Sequence, residues 1–210
     1  MKNILWKQLI DEELRNNTLA ILSETQTDIQ TDDFQEDRYI TYHIVPPTEE
    51  WLKSLFIYSK SCPDCSEYEV AIIKEFLKID PNMLTILRHI IFVKDEGDDE
   101  DVCEQLGLED WEWPGQIDFD EPTCVGLYWY AESSIVINLG AIEATSQEIC
   151  EQFAEPWAFS QEVFQGVVTT ALHEIRHLGL SNPLLPNEMY PSELESEEAV
   201  EAWARDQYEK

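Results

Sequence analysis

Apolar positions follow two different rhythms along this chain. Ile4, Leu5, Leu9, Ile10, Leu14, Leu19 and Leu22 recur at helical spacing, which predicts an amphipathic helix from Asn3 to about Leu22. Residues 23–37 are polar and acidic and read as a linker or loop. Arg38 to Val45 is rich in β-branched and aromatic residues and predicts a strand, closed by Pro46-Pro47. Thr48 is placed to cap a helix reaching about Ser59, although Leu55-Phe56-Ile57-Tyr58 has the composition of a strand. A helix is expected from Glu67 to about Ile79, and Ile90 to Val93 is expected as a short buried strand. The acidic run from Asp95 to Asp101 reads as a solvated loop. Residues 102–124 read as irregular chain, with Trp111 and Trp113 as packing anchors.

Val125 to Tyr130 and Ser134 to Leu139 are two strands close enough in sequence to form a β-hairpin. Residues 146–154 predict a short helix. After Pro156 comes the longest well-patterned helix, with Ser160 as N-cap and Gly179 as its stop. Its buried stripe is Val163, Phe164, Val167, Ala171, Leu172, Ile175 and Leu178. Pro183, Pro186 and Pro191 make residues 180–191 a stiff connection. Ser192-Glu193-Leu194-Glu195 has the capping-box pattern and should open a last helix running to about Tyr208. The fold class expected from these elements is α+β, with a small twisted sheet.

At 43% hydrophobic and 11% aromatic, 210 residues are enough to bury a real core. Charge changes the picture more: 44 acidic residues against 13 basic ones give a formal −31. Such a chain repels nucleic acid and anionic membranes and favours cationic partners. The acidity serves solubility, salt adaptation or mimicry of a nucleic acid; solubility is the simplest account, because the charges are spread along the chain. No apolar run approaches a membrane span, and Met1 to Lys7 lacks the features of a signal peptide. With five cysteines, an odd number, the expectation is a cytoplasmic protein with reduced thiols.

One run carries chemistry: His173-Glu174-Ile175-Arg176-His177. Histidines four apart on a helix share a face, so one divalent metal can take both imidazoles without distorting the backbone. Glu174 sits where it can take a proton from a metal-activated water without being a ligand. With 4 His and 29 Glu, a chance His-Glu-x-x-His has a probability of roughly 1%, so accident is the weaker explanation. Gly166, Thr169 and Thr170 continue the polar stripe; they leave room for metal, water and substrate, or allow a close helix contact.

Catalytic zinc takes three protein ligands and keeps a fourth position open. No histidine follows His177, so a downstream third ligand is a carboxylate or Tyr190. Position 183, where a third histidine would complete the metzincin pattern, is proline. In the last helix each residue turns by about 100°. Val200, Trp203, Ala204 and Tyr208 then share a face that includes Glu197, while Glu198 lies outside it. A carboxylate on a buried face needs a partner, and a metal is one. Glu197 is therefore the first choice, with Glu193, one turn earlier, the alternative. Glu201, one turn later, is placed to orient His173 or His177, or to pair with Arg205.

These residues resemble the gluzincin branch of the zincin metallopeptidases, and most of all the small phage and bacterial members with a His-Glu-x-x-His helix. In that family a following helix carries Glu-x-x-Ala-(Asp/Glu), whose first glutamate binds zinc; here it falls on Glu197, with Val200 and Glu201 completing the pattern. Val200 departs from the usual small residue. The resemblance spans about 125–208. It implies a zincin-like core over 121–210 and an N-terminal α+β portion over 1–120. That portion recognises substrate, inhibits the site or completes the same core. It also implies a substrate-binding edge strand upstream of the zinc helix, at Ser134–Leu139, with Ile135, Ile137 and Asn138 along an extended peptide; a core strand is the alternative. The implied activity is zinc-dependent peptide hydrolysis by an activated water with Glu174 as general base, on peptide or protein substrates that the charge suggests are basic. An acidic interaction protein with a structural or inactive zinc site is the other reading.

Cys62-Pro63-Asp64-Cys65 is half of a second zinc site, a redox pair, or two cysteines in a turn. Cys103, Cys124 and Cys150 are scattered and offer no second close pair. Arg176 points away from the histidines and suits an acidic neighbour, and Met189, His43 and His89 carry weak signals only.

Overall fold

Ile90–Val93 and Ser134–Asn138 are apolar with little alternation, the pattern of strands covered on both faces. In the computed structural model they are the two inner strands of a four-stranded sheet. The structure describes residues 46–62, 64–109, 112–115, 117, 124–153, 156–180 and 196–210, all within one unit, 43–210. The expected helix over 3–22, the linker over 23–37 and the strand over 38–45 lie outside the described residues, as do Glu193 and most of the proline-rich connection.

The described elements run α1 (Glu49–Lys53), β1 (Phe56–Tyr58), α2 (Ser66–Phe76), a 3₁₀ turn (Pro81–Leu84), β2 (Ile90–Val93), α3 (Asp98–Leu106) and β3 (Gly126–Trp129). A second 3₁₀ turn (Tyr130–Glu132) leads to β4 (Ser134–Asn138) and α4 (Leu139–Gln152). A third (Pro156–Ala158) precedes α5 (Phe159–Leu180), and α6 (Glu197–Tyr208) comes last. The fold is α+β. Sheet order is β1-β2-β4-β3: β1, β2 and β4 are parallel, and β3 pairs antiparallel with β4 through the predicted hairpin. Two strands come from each side of residue 120.

Side chains on a strand alternate between faces, and the core divides accordingly. Ile90, Phe92, Ile135 and Ile137 join the larger core with residues of α2, α4, α5 and α6. Ile91, Val93 and Val136 join Val102 of α3, Ile117 and Trp129 on the opposite face. Each isoleucine buried completely there contributes about 1.5–3 kcal/mol.

The acidic run departs from expectation. Asp98 and Asp101 are buried in the first turn of α3 rather than solvated in a loop. Gly97, at φ +87°, turns the chain into the helix. Asp98 Oδ2 then accepts the backbone N–H groups of Lys94 (2.6 Å) and Asp95 (3.0 Å) and the Ser61 hydroxyl. Asp101 accepts the Lys60 N–H (2.9 Å) and pairs with its ammonium (2.7 Å). A helix N-terminus also favours four acidic residues in its first turn. The other differences are of extent: α1 stops at Lys53 so that Phe56–Tyr58 can join the sheet, and α4 begins at Leu139, earlier than the helix expected over 146–154. No helix among the described residues is long and apolar enough to cross a membrane.

Candidate metal centre

The predicted stripe of α5 packs as expected: Val163, Val167, Ala171, Leu172, Ile175 and Leu178 are buried, and Phe164 is half-buried. Its ends differ. The helix starts at Phe159, so Ser160 lies in its first turn, and it continues through Gly179. A Cβ on Gly179 would come 3.1 Å from Met83, so close packing, not helix termination, is what this glycine allows.

The polar stripe serves two purposes. Gly166 faces Ile142 of α4, with room for no side chain (2.8 Å from an added Cβ), and the Thr170 methyl packs on Gly126 of β3. One turn beyond, His173 and His177 project together, and their Nε2 atoms are 3.0 Å apart. Burial first, and then His177, hold His173 below the ordinary histidine pKa, against Glu197, which raises it. An imidazole kept neutral keeps the lone pair a metal needs.

The third group comes from α6. Glu197 Oε2 lies 3.1 Å from His173 Nε2 and 3.4 Å from His177 Nε2. Glu197 is the first residue of α6, whose N-cap is Ser196, not Ser192: the Ser196 hydroxyl accepts the Ala199 N–H. Glu197 does not lie on the buried face expected for it. Val200 and Ala204 are buried, whereas the Glu197 side chain is 77% exposed. Donors held tetrahedrally at zinc–nitrogen and zinc–oxygen distances of about 2.0–2.1 Å stand about 3.3 Å apart. The triangle of 3.0, 3.1 and 3.4 Å fits that requirement, and two imidazoles with a carboxylate are a donor set zinc accepts.

Glu174 is 6% exposed beside β3, where its carboxylate accepts the Tyr128 N–H. Burial first, then the charge of Glu197, push its pKa up to about 8, against the Tyr128 hydrogen bond. A cation among the histidines and Glu197 would act in the opposite direction.

The expected substrate strand needs correction. Ile135, Ile137 and Asn138 belong to β4, whose two edges are taken by β2 and β3, and all three are fully buried. They cannot add a peptide strand. Beside α5 runs β3 instead. Val125 O accepts the Asn138 N–H across the pair, so alternation turns the polar groups of Gly126 and Tyr128 to the outer edge. Gly126, a glycine inside a strand, was the sequence signal for this close approach. Of the two roles expected for Glu201, the structure shows the second: its carboxylate pairs with Arg205, while the guanidinium of Arg176 lies over the Trp203 ring at 5.2 Å. Compared with protein-family models, curated proteins and solved structures, the chain matches none.

Proposed function

We propose that the protein is a zinc-dependent metallopeptidase of zincin-like build, with His173, His177 and Glu197 as metal ligands and Glu174 as general base. The observation that supports this most is the arrival of Glu197, 24 residues downstream of His173, at ligand distance from both histidines. α6 packs on α5 through Val200 and Ala204, with Trp203 and Tyr208 half-buried, and this brings the first turn of α6 to the histidines.

Zinc bound there would polarise the scissile carbonyl and make a water nucleophilic near neutral pH. The chain's own residues do the rest. His173 and His177 present neighbouring nitrogens from one helix face, and the exposed Glu197 closes the set while leaving a side open to substrate. One oxygen of the Glu174 carboxylate is held by Tyr128, which leaves the other to take a proton from water and return it to the leaving amine. A chain of net charge −31 favours neutral or basic peptides.

The test combines metal content with turnover. Purified protein should hold close to one zinc per chain; His177→Ala should lose it, and Glu174→Gln should keep it while losing cleavage of a broad peptide library. Wild-type protein that neither retains nor binds zinc would end this reading. Zinc-loaded wild type that cleaves nothing would favour an acidic interaction protein with a structural zinc.

A further inference from the structure

A second cluster of reactive groups lies at the other end of α5. That helix runs from Phe164, whose ring lies tilted against Tyr68 of α2 (centroids 6.0 Å), and Gly166 against α4, to Gly179 against Met83, ahead of β2. The histidines are near its C-terminal end. Near its N-terminal end are the C-terminal ends of the parallel strands β1, β2 and β4, where α2, α3 and α4 all begin. In open parallel sheets this is the side where ligands and reactive groups collect.

Cys62 and Cys65 occupy that end. Cys65 is the N-cap of α2 yet makes no capping bond with its side chain. Its thiol instead lies 3.8 Å from the Cys62 carbonyl oxygen, turned back toward the first cysteine. Ser61 Oγ is 3.9 Å from Cys62 Sγ and gives its proton to Asp98. Both thiols are reduced and buried. The N-terminus of the 11-residue α2 lies beside the pair and favours a thiolate.

We propose that Cys62 and Cys65 form a redox-active dithiol that exchanges with low-molecular-weight disulfides and closes into an intramolecular disulfide. The Cys62 thiolate attacks one sulfur of the disulfide, forming a mixed disulfide and releasing one thiolate. Cys65 then gives up its proton and attacks Cys62 Sγ, which releases the second thiolate; both leaving groups take up protons. The dithiol loses two electrons and the small disulfide gains them. The order follows from the surroundings. The Cys65 thiol first, against burial and the Asp98 carboxylate, brings Cys62 down to about 7. Its hydrogen bond to Cys62 first, then burial, raise Cys65.

Folded full-length protein equilibrated in glutathione redox buffers, acid-quenched, alkylated and peptide-mapped tests this. A Cys62–Cys65 disulfide should appear with two-electron dependence on the buffer potential while Cys103 and Cys150 stay alkylatable. Cys65→Ser should accumulate glutathione on Cys62, and Cys62→Ser should react at Cys65 at least about tenfold more slowly. Both cysteines remaining alkylatable in fully oxidised glutathione, with native circular dichroism retained, would overturn the proposal. So would zinc released stoichiometrically when the two thiols are titrated with a mercurial. If the serine variants do not fold, wild-type mapping decides alone.

Discussion

Glu197 Oε2 and His173 Nε2 meet at 3.1 Å although they belong to different helices and the carboxylate is mostly exposed. An exposed ion pair of this kind contributes little to stability on its own, about 0–1 kcal/mol. The two residues should therefore matter more to metal than to folding. Glu197→Ala should weaken zinc binding by at least about a hundredfold, measured by competition with a chromophoric chelator, and change the stability of the metal-free protein by less than about 1 kcal/mol. Glu193→Ala should leave zinc affinity unchanged. The reverse pattern would make Glu193 the third ligand.

Glu174 links pH to stability in the metal-free protein. Its folded pKa, pushed up to about 8, lies above the ordinary value of 4.5, so between these limits the folded state binds more protons than the unfolded. Its contribution is complete below 4.5 and is lost as pH rises through about 8. Urea titrations of the metal-free protein from pH 5 to 8 should show wild type losing stability relative to Glu174→Gln. Equal slopes for the two proteins would contradict this environment for the carboxylate.

Much of this site could be read locally, because a helix places residues four apart on one face whatever surrounds it. The shared face of His173 and His177 needed nothing else, whereas Glu197 meets them from an exposed position and not from the buried face that helical phase gave it. What local pattern does not encode is where a helix starts and what lies over it. Ser196 rather than Ser192 caps α6, which puts Glu197 in its first turn, beyond the buried contacts of Val200 and Ala204. Strand order is equally non-local: the resemblance put Ser134–Leu139 at an edge, with a core strand the alternative, and the unbroken Ile135-Val136-Ile137 run was the sign of the inner strand found. The run from Asp95 to Asp101 looked solvated because its partners, Ser61 and Lys60, are some 40 residues away in sequence (separations of 37 and 41).

Gly126 is where β3 comes nearest to α5. A Cβ there would overlap the Thr170 methyl and stand 3.2 Å from Glu174 Oε1. Overpacking a tight contact costs about 1–3 kcal/mol. Gly126→Ala should lose about that much in denaturant unfolding, and Thr170→Ser, by removing the overlapping methyl, should restore part of it. Exact additivity of the two changes would show that they do not meet.

Asp98 holds the turn between β2 and α3 together through three hydrogen bonds. Burial works against its ionised form, but the Ser61 hydroxyl and the N–H groups of Asp95 and Lys94 outweigh it and keep the pKa below the ordinary 3.8. The stability it supplies is therefore present above that value and lost as pH falls through the lower folded value. Asp98→Ala leaves buried donors without an acceptor, which costs about 1–3 kcal/mol at neutral pH. The difference from wild type should narrow in acid, because protonation removes the same interactions from the native protein. Urea midpoints at pH 7 and pH 3 measure both values. A gap that stays constant would mean Asp98 acts through its shape in the turn and not through its charge.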